Sequence, residues 1–468
     1  MLSVAFVGQL GKGVLSSVVL AGSLYNVTGL SVVIGLAAGM ETLCGQAYGA
    51  GRYKVLGLVA QRALIVCLAV CIPIIALWWN IEPLLLMLHQ SPIVAGGAAR
   101  YLQLMSPTLV VNCCLCVLNR YLIAQRVTVP STYCTIASAI VCPIWNWLLI
   151  FHLNLGLDGA AYAALASQGT SLVLLACYIV NRDASMLGTP QSTWPGLQLK
   201  KALQPAAVVQ YLEYGGAAAA MICLEWWAFE VIIILSGTLK DRPEVAVATM
   251  GITFNICAVF YMFAMSFGTA ANTRIANSLG EGRPEAASLA YHTTLGIVFG
   301  EQLIFASGTW LLRNQLAKVF TSDVEVMESV VYVMPVVCCI IMGDGMNALF
   351  GGVLRGCGRQ VLGAYLNLAG WWGVVVPLGV LLGLHQGLGP LGFNYALAVG
   401  TTMQALVFVF AISRLDWGAE VERSRALLAG HHSGSNDTSQ RNLPDDDLLE
   451  PLVDEDQEAA VKLSQPLL

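Results

Sequence analysis

MICLEWWAFEVIIIL, residues 221–235, decides the fold class of this chain. Its apolar residues suit a bilayer core, yet Glu225 and Glu230 lie inside it. A carboxylate at that depth costs roughly 2.5–3.5 kcal/mol on insertion scales, and this segment carries the cost twice. Intramembrane acids usually mark ion or substrate pathways, which points to the handling of protons or cations; the plain alternative is hydrogen bonding between helices.

The rest of the chain resembles this segment. It has 468 residues, 57% hydrophobic and 11% charged, where soluble domains carry roughly 25% charged residues. The composition is that of an integral membrane protein. The net charge of −5 divides unevenly, because residues 416–468 hold twelve Asp/Glu and four Lys/Arg and leave the body at about +3. Nothing here suits nucleic acid. The fourteen Cys lie mostly in apolar runs, without the His or carboxylate partners that a metal site needs, so no metal is expected. The six His fall near span ends or in the tail, which argues against a polytopic membrane enzyme with a His–acid pair at membrane depth.

Apolar runs long enough to cross a bilayer occur near 15–41, 55–78, 94–119, 128–152, 158–180, 206–236, 245–272, 286–312, 325–354, 361–384 and 391–413. A fragment, 1–10, precedes these eleven and reads as the end of an incomplete first span. Residues 1–22 lack the basic start of a signal peptide. Seventeen of the 23 Lys/Arg fall on one side of this arrangement, which assigns that side, and the tail, to the cytoplasm.

The chain also repeats itself. TLCGQAYGAGR (42–52) aligns with TRIANSLGEGR (273–283) at an offset of 231, and GLDGAAYA (156–163) with GPLGFNYA (389–396) at 233; Arg126 matches Arg359 between them. Corresponding spans lie six apart, so the halves share one orientation. Parallel repeats about an axis along the membrane normal are a transporter architecture, with the substrate site between the halves. The expected organisation is an N-lobe (1–181), a cytoplasmic linker (182–205), a C-lobe (206–415) and an acidic disordered cytoplasmic tail (416–468), all-α and polytopic around a central cavity.

Sorting carboxylates by depth sharpens the functional reading. Glu41, Glu82 and Asp158 fall at span ends, whereas Glu225, Glu230, Glu301 and Asp344 lie inside apolar runs of the second half. This one-sided set predicts an ion-coupling site in one lobe. Glu225 and Glu230 stand about 140° apart on a helix, so one faces the cavity, and Glu225 is the choice. Asp344 lies in MGDGMNALFGG, between glycines that permit close helix approach. A carboxylate there can load a proton from one side and release it when the cavity rewets. Trp226 and Trp227 could hold an organic cation by cation–π attraction. Asn255, Tyr261 and Asn347 offer polar contacts at similar depth, or hydrogen bonds between helices.

ETLCGQAYGAGRY (41–53), CLEWWAFE (223–230), TRIANSLGEGR (273–283) and DGMNALFGGVLRGCGRQ (344–360) together resemble the multidrug and toxic compound extrusion (MATE) family in its plant and algal form. The likeness runs from residue 1 to about 415, and AFVGQLG (5–11) looks like the end of that family's first span. The resemblance implies two six-helix lobes, twelve spans in all. It implies export of small organic compounds, mainly cations, in exchange for protons, with sodium the less favoured ion and no bound cofactor. It places Glu225 and Glu230 on span 7 and Asp344 on span 10 as coupling acids, with Glu301 a fourth. A monomer in the plasma or vacuolar membrane is expected. The alternative within the same superfamily is a lipid-linked glycan flippase, which the acidic second half disfavours.

Overall fold

A computed structural model describes residues 6–87 and 90–430. The N-terminal fragment contributes a short 3₁₀ turn, Gly8–Leu10. Among the described residues, ten helices are long and apolar enough to cross a membrane: α1 (Gly13–Gly49), α2 (Tyr53–Trp79), α3 (Pro92–Ala124), α4 (Val129–His152), α5 (Gly156–Ser185), α6 (Pro205–Ser236), α7 (Pro243–Gly280), α9 (Val324–Gly356), α10 (Gln360–His385) and α11 (Gly389–Ser413). An eleventh span, α8 (Pro284–Leu311), bends by 78° into the helix Arg313–Phe320. The eleven spans follow from the apolar runs. Their starts are written in proline, which opens α3, α6, α7 and α8 where its missing N–H is not needed.

The repeat is visible in backbone geometry. Gly51 and Gly282, matched at the offset of 231, both take left-handed φ angles (70° and 75°), and Gly156 and Gly389 do the same at 233 (55° and 56°). A side chain would strain these turns. The wide π-helical turn Trp147–His152 recurs at the same offset as Val380–His385.

The halves meet about the repeat axis. Gly45 and Ala276, equivalent positions, are in direct contact, and a Cβ on Gly45 would lie 2.6 Å from that of Ala276. Reciprocally, Gly49 lies against the Asn277 carbonyl and Gly280 against the Gln46 carbonyl. α1 also runs along α6, where Gly35 meets Ala219 and Gly39 meets Gly215. Small residues thus let three helices close on one another at the ends that carry the basic loops.

The connection between the halves is docked. Gln61 and Arg62 of α2 bind the carbonyls of Gly196 and Ala202, and the Tyr121 hydroxyl reaches Thr193. The expectation of a disordered segment from 416 requires correction, since Trp417–Gly430 forms a helix, α12. Val421 enters a core cluster with Tyr291 and Cys357, and Glu420 is paired with Arg359 at 2.5 Å. The Glu420 hydrogen bond raises the already high pKa of the Arg359 guanidinium, so that end of the link stays charged. Residues 431–468, the remainder of the expected tail, lie outside the described residues.

Candidate functional site

α6 carries the two acids of MICLEWWAFEVIIIL, and packing separates them. Glu225 is buried in the second half, with Tyr261 of α7 its neighbour. Glu230, one and a half turns on, is half-buried and accepts the Ser23 hydroxyl of α1. The same outer stretch of α6 is fastened to α1 by Trp227, whose indole donates to the Val27 carbonyl at 2.8 Å. Trp226 is half-buried, and Trp227 is 38% exposed.

Asp344 is buried by its glycine neighbours. A Cβ on Gly343 would strike Thr401 of α11, and one on Gly345 would strike Gln302 of α8. The two glycines therefore admit a helix on each side, leaving Asp344 4% exposed with one carboxylate oxygen unpartnered. It lies close enough to Glu225 for their charges to interact. Glu225, Tyr261 and Asp344, from α6, α7 and α9, thus form one cluster.

A chain of amides braces the cluster. Asn347 donates to the Thr401 carbonyl at 3.1 Å and approaches Gln404; Gln404 donates to Asn367 at 2.6 Å; Asn367 donates to the Met221 carbonyl at 2.8 Å, one turn before Glu225. Asn347 thus holds α9 to α11, and its own oxygen has no partner. Asn255 bonds its own helix, at the Gly251 carbonyl. Glu301 is half-buried on α8, where the amide of its neighbour Gln302 donates to it at 3.4 Å.

A further acid lies well inside the first half, against the expectation that Glu41 lies at a span end. α1 continues to Gly49, so Glu41 is inside the helix, with its side chain only 10% exposed. It binds Arg120 of α3 at 3.2 Å, Arg355 of α9 at 2.9 Å, and the Asn272 amide of α7. The available signal was the match of Glu41 with Asn272 at the offset of 231, which places both near the axis.

A cavity of about 870 Å³ opens beside Arg126, Phe267, Ala270, Thr273 and Arg283. None of Glu225, Glu230, Glu301 and Asp344 lines it. Its wall of Ser266, Phe267 and Ala270 is the repeat equivalent of Gly35, Leu36 and Gly39, which in the first half are covered by α6.

Comparison with known proteins agrees with this geometry. The family model MatE matches residues 1–148 and 217–381. Protein DETOXIFICATION 17 of Arabidopsis thaliana is 33% identical over 423 residues, covering 90% of this chain and 87% of the relative. Protein DETOXIFICATION 16 of the same plant is 35% identical over 427 residues, covering 90% and 85%. The crystal structure of the eukaryotic MATE transporter AtDTX14 superposes with a TM-score of 0.85 at 31% identity, covering 91% of this chain and 93% of that one. A MOP superfamily transporter from Pyrococcus furiosus, 18% identical, shares the fold with a TM-score of 0.75, covering 91% of each chain.

Proposed function

The chain belongs to the MATE family, whose members are transporters and not enzymes, and from that we propose that it exports small organic cations from the cytoplasm in exchange for protons. It is an integral, multi-pass membrane protein, and on this reading the basic loops face the cytoplasm and the membrane is the plasma or vacuolar one. The observation that supports proton exchange is the meeting of Glu225 and Asp344. Two acids brought from α6 and α9 into one buried cluster, with an unpartnered oxygen on Asp344, make a site for a positive charge.

The chemistry is competition. A proton held by the cluster removes the negative charge that a cationic substrate would seek, so each displaces the other. Alternating access turns that exclusion into antiport: substrate leaves toward the outside as protons bind, and protons leave toward the cytoplasm before substrate returns. Tyr261 positions the Glu225 carboxylate, and the Asn347–Gln404–Asn367 chain holds α6 in register with α9 and α11. Glu230, Trp226, Trp227 and Asn255 line or brace the approach, and the protein works as a monomer with the bilayer as its only large partner.

Proteoliposomes loaded with a fluorescent organic cation and given a pH gradient test this reading. Movement should follow the gradient and be lost in Asp344→Asn and Glu225→Gln. Movement that follows a sodium gradient alone would replace the proton by sodium. Full activity in Asp344→Asn would refute the site.

A further inference from the structure

Arg355 is held by both halves of the molecule. Its Nε donates to Glu41 at 2.9 Å, and its backbone carbonyl accepts the Thr42 hydroxyl, so side chain and main chain are both fastened to α1. Its guanidinium folds back along α9 toward the membrane interior. Nη1 lies 3.3 Å from where a Cβ on Gly351 would stand, and the Met221 methyl lies 3.6 Å from the same point. A side chain at 351 would crowd this path. Met221 is one turn before Glu225, and the Arg355 charge reaches both Glu225 and Tyr261. The guanidinium thus runs from Glu41 of the first half toward the turn of α6 that precedes Glu225 in the second.

We propose that Arg355 is a positioning residue that links the carboxylate cluster to the seam between the halves, so that the charge on Glu225 sets how firmly Glu41 holds the seam closed. This rests on the reading that Glu225 changes charge during transport. An ionised Glu225 competes with Glu41 for the guanidinium and loosens the seam. A neutral Glu225 leaves Arg355 to Glu41 and tightens it. The groups facing this line from neighbouring helices are few: Asp344 and Tyr261 at Glu225, Asn272 and Arg120 at Glu41, and Tyr211 and Cys116 beside Arg120. Arg120 also donates to the Ile34 carbonyl at 3.1 Å, which keeps it on α1 while Arg355 is shared. A neutral Glu225 thus favours the state closed on the basic face, in which protons load from outside, and the seam reopens as they leave toward the cytoplasm.

The test is a double-mutant cycle on the seam itself. Spin labels at Lys54→Cys and Glu285→Cys, exposed positions on opposite halves, report the distance across the basic face in nanodiscs once the exposed Cys177 and Cys339 are replaced by Ser. Glu41→Gln and Arg355→Gln should each lower the closed-to-open ratio, by roughly 5–150-fold if the link is of ordinary coupling strength. Glu225→Gln should raise that ratio in the native background and leave it unchanged when Arg355→Gln is present. If Arg355→Gln does not fold, the same cycle is closed with Glu41→Gln, which keeps the shape of the side chain. Equal effects of Glu225→Gln with and without the second substitution would overturn the link. The transport reading is judged separately: gradient-driven export with an additive cycle refutes only the link, and a coupled cycle without gradient-driven export refutes only the antiport.

Discussion

Alanine at Gly49 or Gly280 should force the two halves apart. A Cβ on Gly49 would lie 2.0 Å from the Asn277 carbonyl oxygen, and one on Gly280 would lie 2.1 Å from that of Gln46, where ordinary contact begins at 3.4 Å. Both obstacles are backbone atoms inside helices, so no rotamer change relieves them. α1 and α7 must separate by more than an ångström. Overpacking of this kind costs about 1–3 kcal/mol, which shifts the ratio of closed to separated seams on the order of five- to 150-fold. The two substitutions act on reciprocal contacts of one helix pair, so their combination should cost less than their sum. Gly216→Ala is the control, because a Cβ there meets nothing within 4 Å; losing a mid-helix glycine should stabilise by roughly 0.5–1 kcal/mol. Thermal unfolding in detergent reads the cost, and hydrogen exchange over residues 42–52 and 273–283 reads the separation. If Gly49→Ala and Gly280→Ala melt like Gly216→Ala and leave exchange unchanged, the close seam is refuted.

Glu301→Gln should retain gradient-driven export in the proteoliposome assay, because Glu301 is only half-buried and its hydrogen-bond donor is its own neighbour, Gln302. Glu420→Ala should strip Arg359 of its partner and destabilise α12 by about 1.5–3 kcal/mol, seen as faster hydrogen exchange over residues 417–425. Trp227→Phe should lose the bond to the Val27 carbonyl, cost about 0.5–1.5 kcal/mol in thermal unfolding, and leave export in place.

Hydropathy and the repeat made the fold legible, because each span must hide its backbone from lipid and so advertises itself as an apolar run. The repeat was readable to the level of single turns, as the matched φ angles at Gly51 and Gly282 show. Helix ends were less legible where polar groups find partners inside the protein. The apolar run of α1 stops at 41, but the helix continues to Gly49 because Glu41 and Gln46 find partners in the second half. α12 was hidden by composition. The acids of 416–468 dominate the segment as a whole, whereas the helix itself carries two Glu and two Arg, with Trp417 and Val421 docking it at a spacing of four. At the site, the glycines flanking Asp344 announced close approach, and the 140° between Glu225 and Glu230 announced their separation. That Glu225 would share its surroundings with Arg355 and, through it, with Glu41 depends on side-chain direction across three helices, which no local pattern carries.

Electrostatics at the repeat axis accounts for the way the halves differ there. Glu41 and Asn272 are equivalent positions, 231 residues apart, and they touch because the axis passes between them. A strict repeat would place two carboxylates or two amides at this contact. Two buried carboxylates 4 Å apart would repel by about 4 kcal/mol at an effective dielectric of 20. Two amides would leave Arg120 and Arg355, whose side chains are 15% and 11% exposed, without a counter-charge, and an uncompensated buried charge costs roughly 3–5 kcal/mol. One carboxylate opposite one amide avoids both penalties: Glu41 takes an arginine from each half, and Asn272 supplies a neutral donor. Glu41 thereby holds the second half through Arg355 and Asn272, beside the Arg126–Glu281 ion pair that also crosses the seam.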